Sequence, residues 1–138
     1  MHPDISHYFT AETSAEPVAT AEQVNAVQSG LDFILPADYV ELVLAYNGWE
    51  GEIGEESWLC LFPLEDLVQV NINYRLLMEQ IPDYFLFGKD AAEGGYAFHK
   101  TNHTYHEFGL MSNFKTDSMH FYGNNLREFL EHLYEFRD

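Results

Sequence analysis

Apolar residues change their spacing twice along this chain, and each change restricts what its segment can fold into. Val24, Val27 and Leu31, then Tyr39, Leu42, Val43 and Tyr46, recur at the period of a helix with one buried face. In the middle of the chain the pattern becomes short apolar runs and strict alternation, as in Tyr96-Ala97-Phe98-His99, which suits strands. Leu126, Phe129, Leu130, Leu133 and Tyr134 return to the helical period. This order predicts an α+β fold in a single domain: N-terminal helices, a mainly antiparallel sheet of about four to six strands and a C-terminal helix. A length of 138 residues fits one core of that kind.

Local signals set the boundaries. Thr20-Ala21-Glu22-Gln23 has the form of a capping box, and Gly30 is suited to ending the helix that follows. Pro36 fits the first turn of a second helix, where its missing N–H costs nothing, and Asn47-Gly48 stops it. Residues 1–18 show no sustained period and are expected to form an irregular arm, with the domain covering residues 19–138. Trp49 to Glu56 reads as a loop by its glycines, and Ser57 to Phe62 as a strand. Leu64, Leu67, Val68, Tyr74, Leu77 and Met78 return to a helical period broken near Gln69 to Asn73, as one helix or two, and Pro82 closes the segment.

Three strand candidates follow: Tyr84 to Phe87, Tyr96 to His99 and Thr104 to Phe108. The glycines between the first two read as a turn. They do not make a phosphate-binding loop, because Asp90 and Glu93 would repel an anion and a strand, not a helix, comes next. The last two candidates form a hairpin in which Ala97 faces His106 and Phe98 faces Tyr105. Alternation puts Tyr96, Phe98 and Tyr105 on the core face, with His99, Thr104 and His106 opposite. A further strand is expected within Ser118 to Tyr122, and Asn125-Leu126-Arg127-Glu128 repeats the capping-box pattern before the last helix.

Charge narrows the partners. With 23 Asp plus Glu against 6 Lys plus Arg, the formal net charge is −17. That field opposes nucleic acid and anionic membrane surfaces and favours a basic protein. No apolar run has the length of a bilayer span and the N-terminus does not resemble a signal peptide, so the cytoplasm is the expected location. Cys60 is the single cysteine and lies in an apolar run, where a buried thiol is the ordinary expectation. His99, His103 and His106 cluster in sequence, but a zinc site needs further ligands that no nearby element offers. A histidine-dependent metal enzyme is therefore only a remote alternative. No nucleophile elbow or isolated carboxylate pair stands out, so no catalytic residue, cofactor or metal is expected.

The order of these signals resembles the SUKH superfamily, the Smi/Knr-like domain. "LDFILPADYVELVLAYNGWEG" is similar to its N-terminal signature, with Leu35, Pro36, Tyr39, Asn47 and Gly48 in the matching places. "LCLFPLEDL" resembles its strand leading to a short helix. "FLFGKDAAEGGYAFH" resembles its strand, turn and strand through Phe87, Gly88, Asp90, Gly94 and Tyr96, and "NNLREFLEHL" its closing helix. The resemblance spans residues 20 to 135. It implies a non-catalytic α+β domain that binds proteins: in many bacterial members an immunity protein that neutralises a toxin, often a nuclease, and in eukaryotic relatives a regulatory scaffold. For this chain the expected partner is a basic toxin domain. The expected contact residues are Trp49, Glu50, Glu52, Glu55 and Glu56 of the acidic loop, with Asp90 and Glu93 of the glycine turn. Trp49 serves as an aromatic anchor there.

Overall fold

Thr20 opens the first helix through a reciprocal cap. Its hydroxyl accepts from the Gln23 N–H at 3.2 Å, and the Gln23 side chain accepts from the Thr20 N–H at 2.8 Å. In the computed structural model, which describes residues 5–9, 19–111 and 119–136, this helix is α1 (Ala21–Ser29). Gly30 ends it without leaving the right-handed region, at φ −90°. Gln28 then fixes the connection onward: its amide donates to the Phe33 carbonyl at 2.6 Å and accepts from the Leu35 N–H at 2.8 Å. Pro36 stands one place earlier than expected, as the residue capping α2 (Ala37–Tyr46) with ψ 135°. Gly48 takes φ 69°, so the chain reverses there at no Cβ cost. Asn47 is buried, accepts from the Leu64 N–H at 2.7 Å and donates to Glu65 at 3.1 Å. The stop of α2 is thereby tied to the 3-10 turn Leu64–Asp66.

The strands β1 (Glu50–Ile53), β2 (Ser57–Leu61), β3 (Tyr84–Lys89), β4 (Gly94–His99), β5 (Tyr105–Gly109) and β6 (His120–Gly123) pair in sequence order, every pair antiparallel. The hairpin register is the expected one, Ala97 opposite His106 and Phe98 opposite Tyr105, and Tyr96, Phe98 and Tyr105 are buried. Two boundaries differ. The segment read as an acidic loop holds strand β1, because Gly51 and Ile53 point inward between Glu50 and Glu52, and a glycine hides the alternation. The glycine pair lies inside β4, and the turn is upstream of it. At Gly95 a Cβ would stand 2.7 Å from the Leu110 side chain, so the missing side chain lets Leu110 pack there. Ser118 of the expected last strand lies outside the described residues.

Both faces of the central strands are covered. On one, Val24, Tyr39, Leu42 and Val43 of the first two helices and Leu126, Phe129, Leu130 and Leu133 of α5 (Leu126–Glu135) enclose the aromatic face. On the other, Leu77 and Met78 pack with Leu86, Ala97, Phe108 and Leu110. The segment above this second cluster is two helices, α3 (Leu67–Asn73) and α4 (Arg75–Met78), divided at Tyr74. Asn71 clamps β3 by accepting from the Leu86 N–H and donating to the Leu86 carbonyl, each at 2.9 Å, next to a bulge in the strand. Of the expected N-terminal arm, residues 5–9 are described. Tyr8 and Phe9 are buried, with Tyr8 donating to Glu131 at 2.5 Å and Phe9 stacked on Tyr46 at 4.3 Å.

Asp38 connects three of these elements. One carboxylate oxygen accepts from the Tyr105 hydroxyl of β5 at 2.8 Å, and the other accepts from the Leu126 N–H at the start of α5 at 2.8 Å. Asn125 completes that helix start by accepting from the Glu128 N–H at 2.8 Å, while Glu128 reaches back to the N–H of Asn124.

Three expectations can be measured. Gly48→Val should lower stability by about 1 kcal/mol or more, since a β-branched residue is strained at positive φ; denaturant titration reads it. Asp38→Ala should cost about 2 to 3 kcal/mol by leaving a buried hydroxyl unpaired, and Tyr105→Phe about 1 kcal/mol, with the double variant well short of the sum. The third concerns alkaline pH. Burial raises the phenols of Tyr39, Tyr96 and Tyr105 and pushes Tyr8 and Tyr122 up to about 12. With folded values above the unfolded one of about 10, the unfolded chain ionises first. Their contribution is therefore complete below that pH and lost above it, so the melting temperature should fall as pH climbs past about 10.

Candidate functional site

The first hairpin sorts its residues by alternation. Glu50 lies opposite Cys60 and Glu52 opposite Trp58, all on the outward face, while Gly51 and Ile53 turn in with Leu59. Trp58 is half-buried, and its indole N–H donates to the Glu50 carboxylate at 2.9 Å. Cys60, expected to be buried, is only half so; burial raises its thiol pKa, and the Glu50 charge adds to the shift. The turn carries Glu55 and Glu56, both exposed. It is held against α5: a Cβ on Gly54, whose φ is 71°, would stand 2.9 Å from the Tyr134 carbonyl carbon, and the Ser57 hydroxyl donates to the Leu133 carbonyl at 2.6 Å.

Trp49 is not on this surface. It is 2% exposed and meets Phe9 edge to face at 4.8 Å, so it belongs to the core and cannot anchor a partner. The signal was present in the sequence, since Trp49, Gly51 and Ile53 share one phase of the alternation and Glu50 and Glu52 the other. The aromatic residue beside the glutamates is Trp58.

A second acidic element faces the hairpin from the β3–β4 turn. The Asp90 carboxylate accepts from the N–H groups of Ala92 at 2.8 Å and Gly94 at 2.9 Å, so it shapes the turn as well as charging it. Above Gly94 the carboxylates of Asp90 and Glu107 converge: a Cβ there would lie 2.8 Å from Glu107 Oε2 and would also collide with Asp90. Glu93 is exposed at the same turn.

Between the hairpin, this turn and the end of α5 runs a groove of about 300 Å3. Glu56, Trp58 and Asp90 line it, together with Tyr96, Glu107, Tyr122 and His132. The Tyr96 hydroxyl donates to the Trp58 carbonyl at 3.3 Å, and His132 stacks on Tyr122 with ring centres 3.8 Å apart. Burial raises the Glu107 carboxyl pKa; His120 opposes the shift and Asp90 adds to it. Burial also lowers the His132 imidazole pKa, which favours its neutral form. Such a groove is suited to a positive charge, because carboxylates line it beside aromatic rings.

Of the expected contact residues, Glu56 and Asp90 line the groove, and Glu50 and Glu52 stand on the adjoining outward face of the hairpin. Glu55 and Glu93 are exposed at the two turns. Glu107, Tyr122, His132 and Trp58 went unnoticed. For Glu107 the hairpin register contained the signal, since one step beyond the Ala97–His106 pair places it opposite Tyr96.

The three clustered histidines are occupied locally. His99 accepts from the N–H groups of Thr101 and Asn102 at 3.1 and 3.0 Å, His106 pairs with the Thr104 hydroxyl at 2.8 Å and His103 with the Ile34 carbonyl at 3.1 Å. The Tyr84 ring meets both His99 and His106 at 5.0 Å. Among the described residues no group of three or more His, Cys, Asp or Glu is placed to hold a metal ion, and no helix is long and apolar enough to cross a membrane.

No curated protein matches the chain. Residues 18–132, from just ahead of the Thr20 cap into α5, match a family whose helix, sheet and closing helix the sequence already resembled. On that match, the chain belongs to the SMI1 / KNR4 family (SUKH-1).

Proposed function

We propose that this chain is a bacterial cytoplasmic immunity protein that binds and neutralises a basic toxin domain through the acidic surface of the first hairpin and the β3–β4 turn. Membership of the SMI1 / KNR4 family supports a non-catalytic protein-binding domain. The finer reading rests on one observation: Glu50, Glu52, Glu55 and Glu56 are exposed on a hairpin braced against α5, beside a groove lined by Asp90 and Glu107. A surface of that sign raises the encounter rate with a cationic partner, and a braced frame loses little entropy on docking. Trp58 supplies the aromatic contact beside the glutamates. The chain acts by covering the toxin and carries no reaction of its own.

The test is charge reversal at Glu52, Glu55 and Glu56, all exposed and outside the cores. Against a basic toxin domain found encoded beside its gene, the triple Lys variant should associate about tenfold or more slowly and lose most of the salt dependence of that rate. An unchanged rate with unchanged salt dependence in a folded variant would show that another surface makes the contact. Absence of any neighbouring toxin, with weak binding to cellular proteins, would favour the regulatory-scaffold role instead.

A further inference from the structure

The outer side of α3 and α4 has a different chemistry. Val68, Ile72 and Leu76 follow one another at four-residue spacing and are 41%, 47% and 79% exposed, while Leu67, Leu77 and Met78 beside them turn into the cores. Neither core uses these three side chains. Next to it lies a cavity of about 310 Å3 walled by Ile72, Met78, Tyr84 and Phe85. Arg75 and Lys100 line it as well, against a single carboxylate, Glu79. The described residues contain only Arg75, Lys89, Lys100 and Arg127 as Lys or Arg, so half of these cations meet at one cavity in a chain of net charge −17. Arg75 is exposed, and the Lys100 ammonium stands 5.2 Å from the centre of the Phe33 ring.

We propose that this face is a second docking surface, taken by an amphipathic segment of an acidic partner. The partner's apolar side chains cover Val68, Ile72 and Leu76, and its carboxylates meet Arg75 and Lys100. Charge selects this occupant. A basic partner is repelled by the two cations and drawn to the hairpin glutamates, whereas carboxylates on a short segment meet Arg75 and Lys100 at close range. Exposed aliphatic side chains mark a candidate contact surface, and Arg75 beside them is of the residue type that most often carries binding energy. The surface shares no residue with the acidic groove, so it does not depend on toxin capture.

The probe is a short synthetic amphipathic peptide with leucines at four-residue spacing and glutamates between them, titrated into the isotope-labelled full chain. A counterpart has lysine in place of every glutamate. The glutamate peptide should shift the amide signals of Ile72, Arg75, Leu76 and Lys100 saturably, and the lysine peptide should leave them in place. Arg75→Glu with Lys100→Glu should weaken the glutamate peptide by about tenfold or more, and so should Leu76→Ser. Leu76→Ser should keep the melting temperature of the parent, since that side chain is largely exposed. Equal shifts from both peptides, or none at Ile72 and Leu76, overturn the proposal. So does a concentration-dependent dimer that Leu76→Ser abolishes, because the face then belongs to a second copy.

Discussion

One carboxylate fixes the relation between the two ends of the domain. Asp38 stands in the first turn of α2, yet its two oxygens hold the Tyr105 hydroxyl and the first N–H of α5. Bonds to an ionised acceptor are stronger than neutral ones, and a carboxylate at a helix start is also favoured by the helix dipole. Tyr105 is fully buried, so its hydroxyl has no water to turn to. Once α5 is placed, the Ser57 bond to Leu133 and the contact of Gly54 with Tyr134 place the first hairpin. The acidic surface thus depends, two steps removed, on one side chain of α2.

The architecture was legible because its signals are local. A capping pair, a proline, an Asn-Gly stop and an alternating run each declare themselves within a few residues, and Thr20, Gly48 and the Ala97–His106 register stand as those signals predict. What stayed hidden needed a third dimension. Gly51 breaks the visible alternation of β1 although its position faces inward, and Trp49 looked like an exposed aromatic because its neighbours are charged. The burial of Tyr8 and Phe9 was equally silent, since two rings in an aperiodic stretch carry no period to read. The cover over the second sheet face was half visible: the apolar spacing of residues 64–78 was clear, and its division at Tyr74 was not.

The candidate site shows the same division. Its charges could be counted from the sequence, and the acidic hairpin and turn were found that way. Their convergence with Glu107 and Tyr122 could not, because it depends on Gly94 leaving room for two carboxylates. A chain of this charge keeps a dry core by leaving no acid fully buried among the described residues, and the half-buried Asp38 is matched by donors. The few cations are then free to mark particular places, and two of them mark the α3–α4 cavity.

Strand order has a consequence for how the molecule comes into being. Each strand pairs with the one made just before it, so the sheet can assemble progressively as the chain emerges, with the α3–α4 segment between β2 and β3 as the longest connection to close. The brace for the first hairpin, however, comes from α5, the last helix in the described chain. A nascent chain halted before residue 126 would hold its glutamates on a hairpin that is paired to β3 but lacks the α5 brace. On the proposed function, competence to capture a partner arrives late, when the final helix docks, and a partner that binds tightly only to the braced hairpin would distinguish finished molecules from fragments.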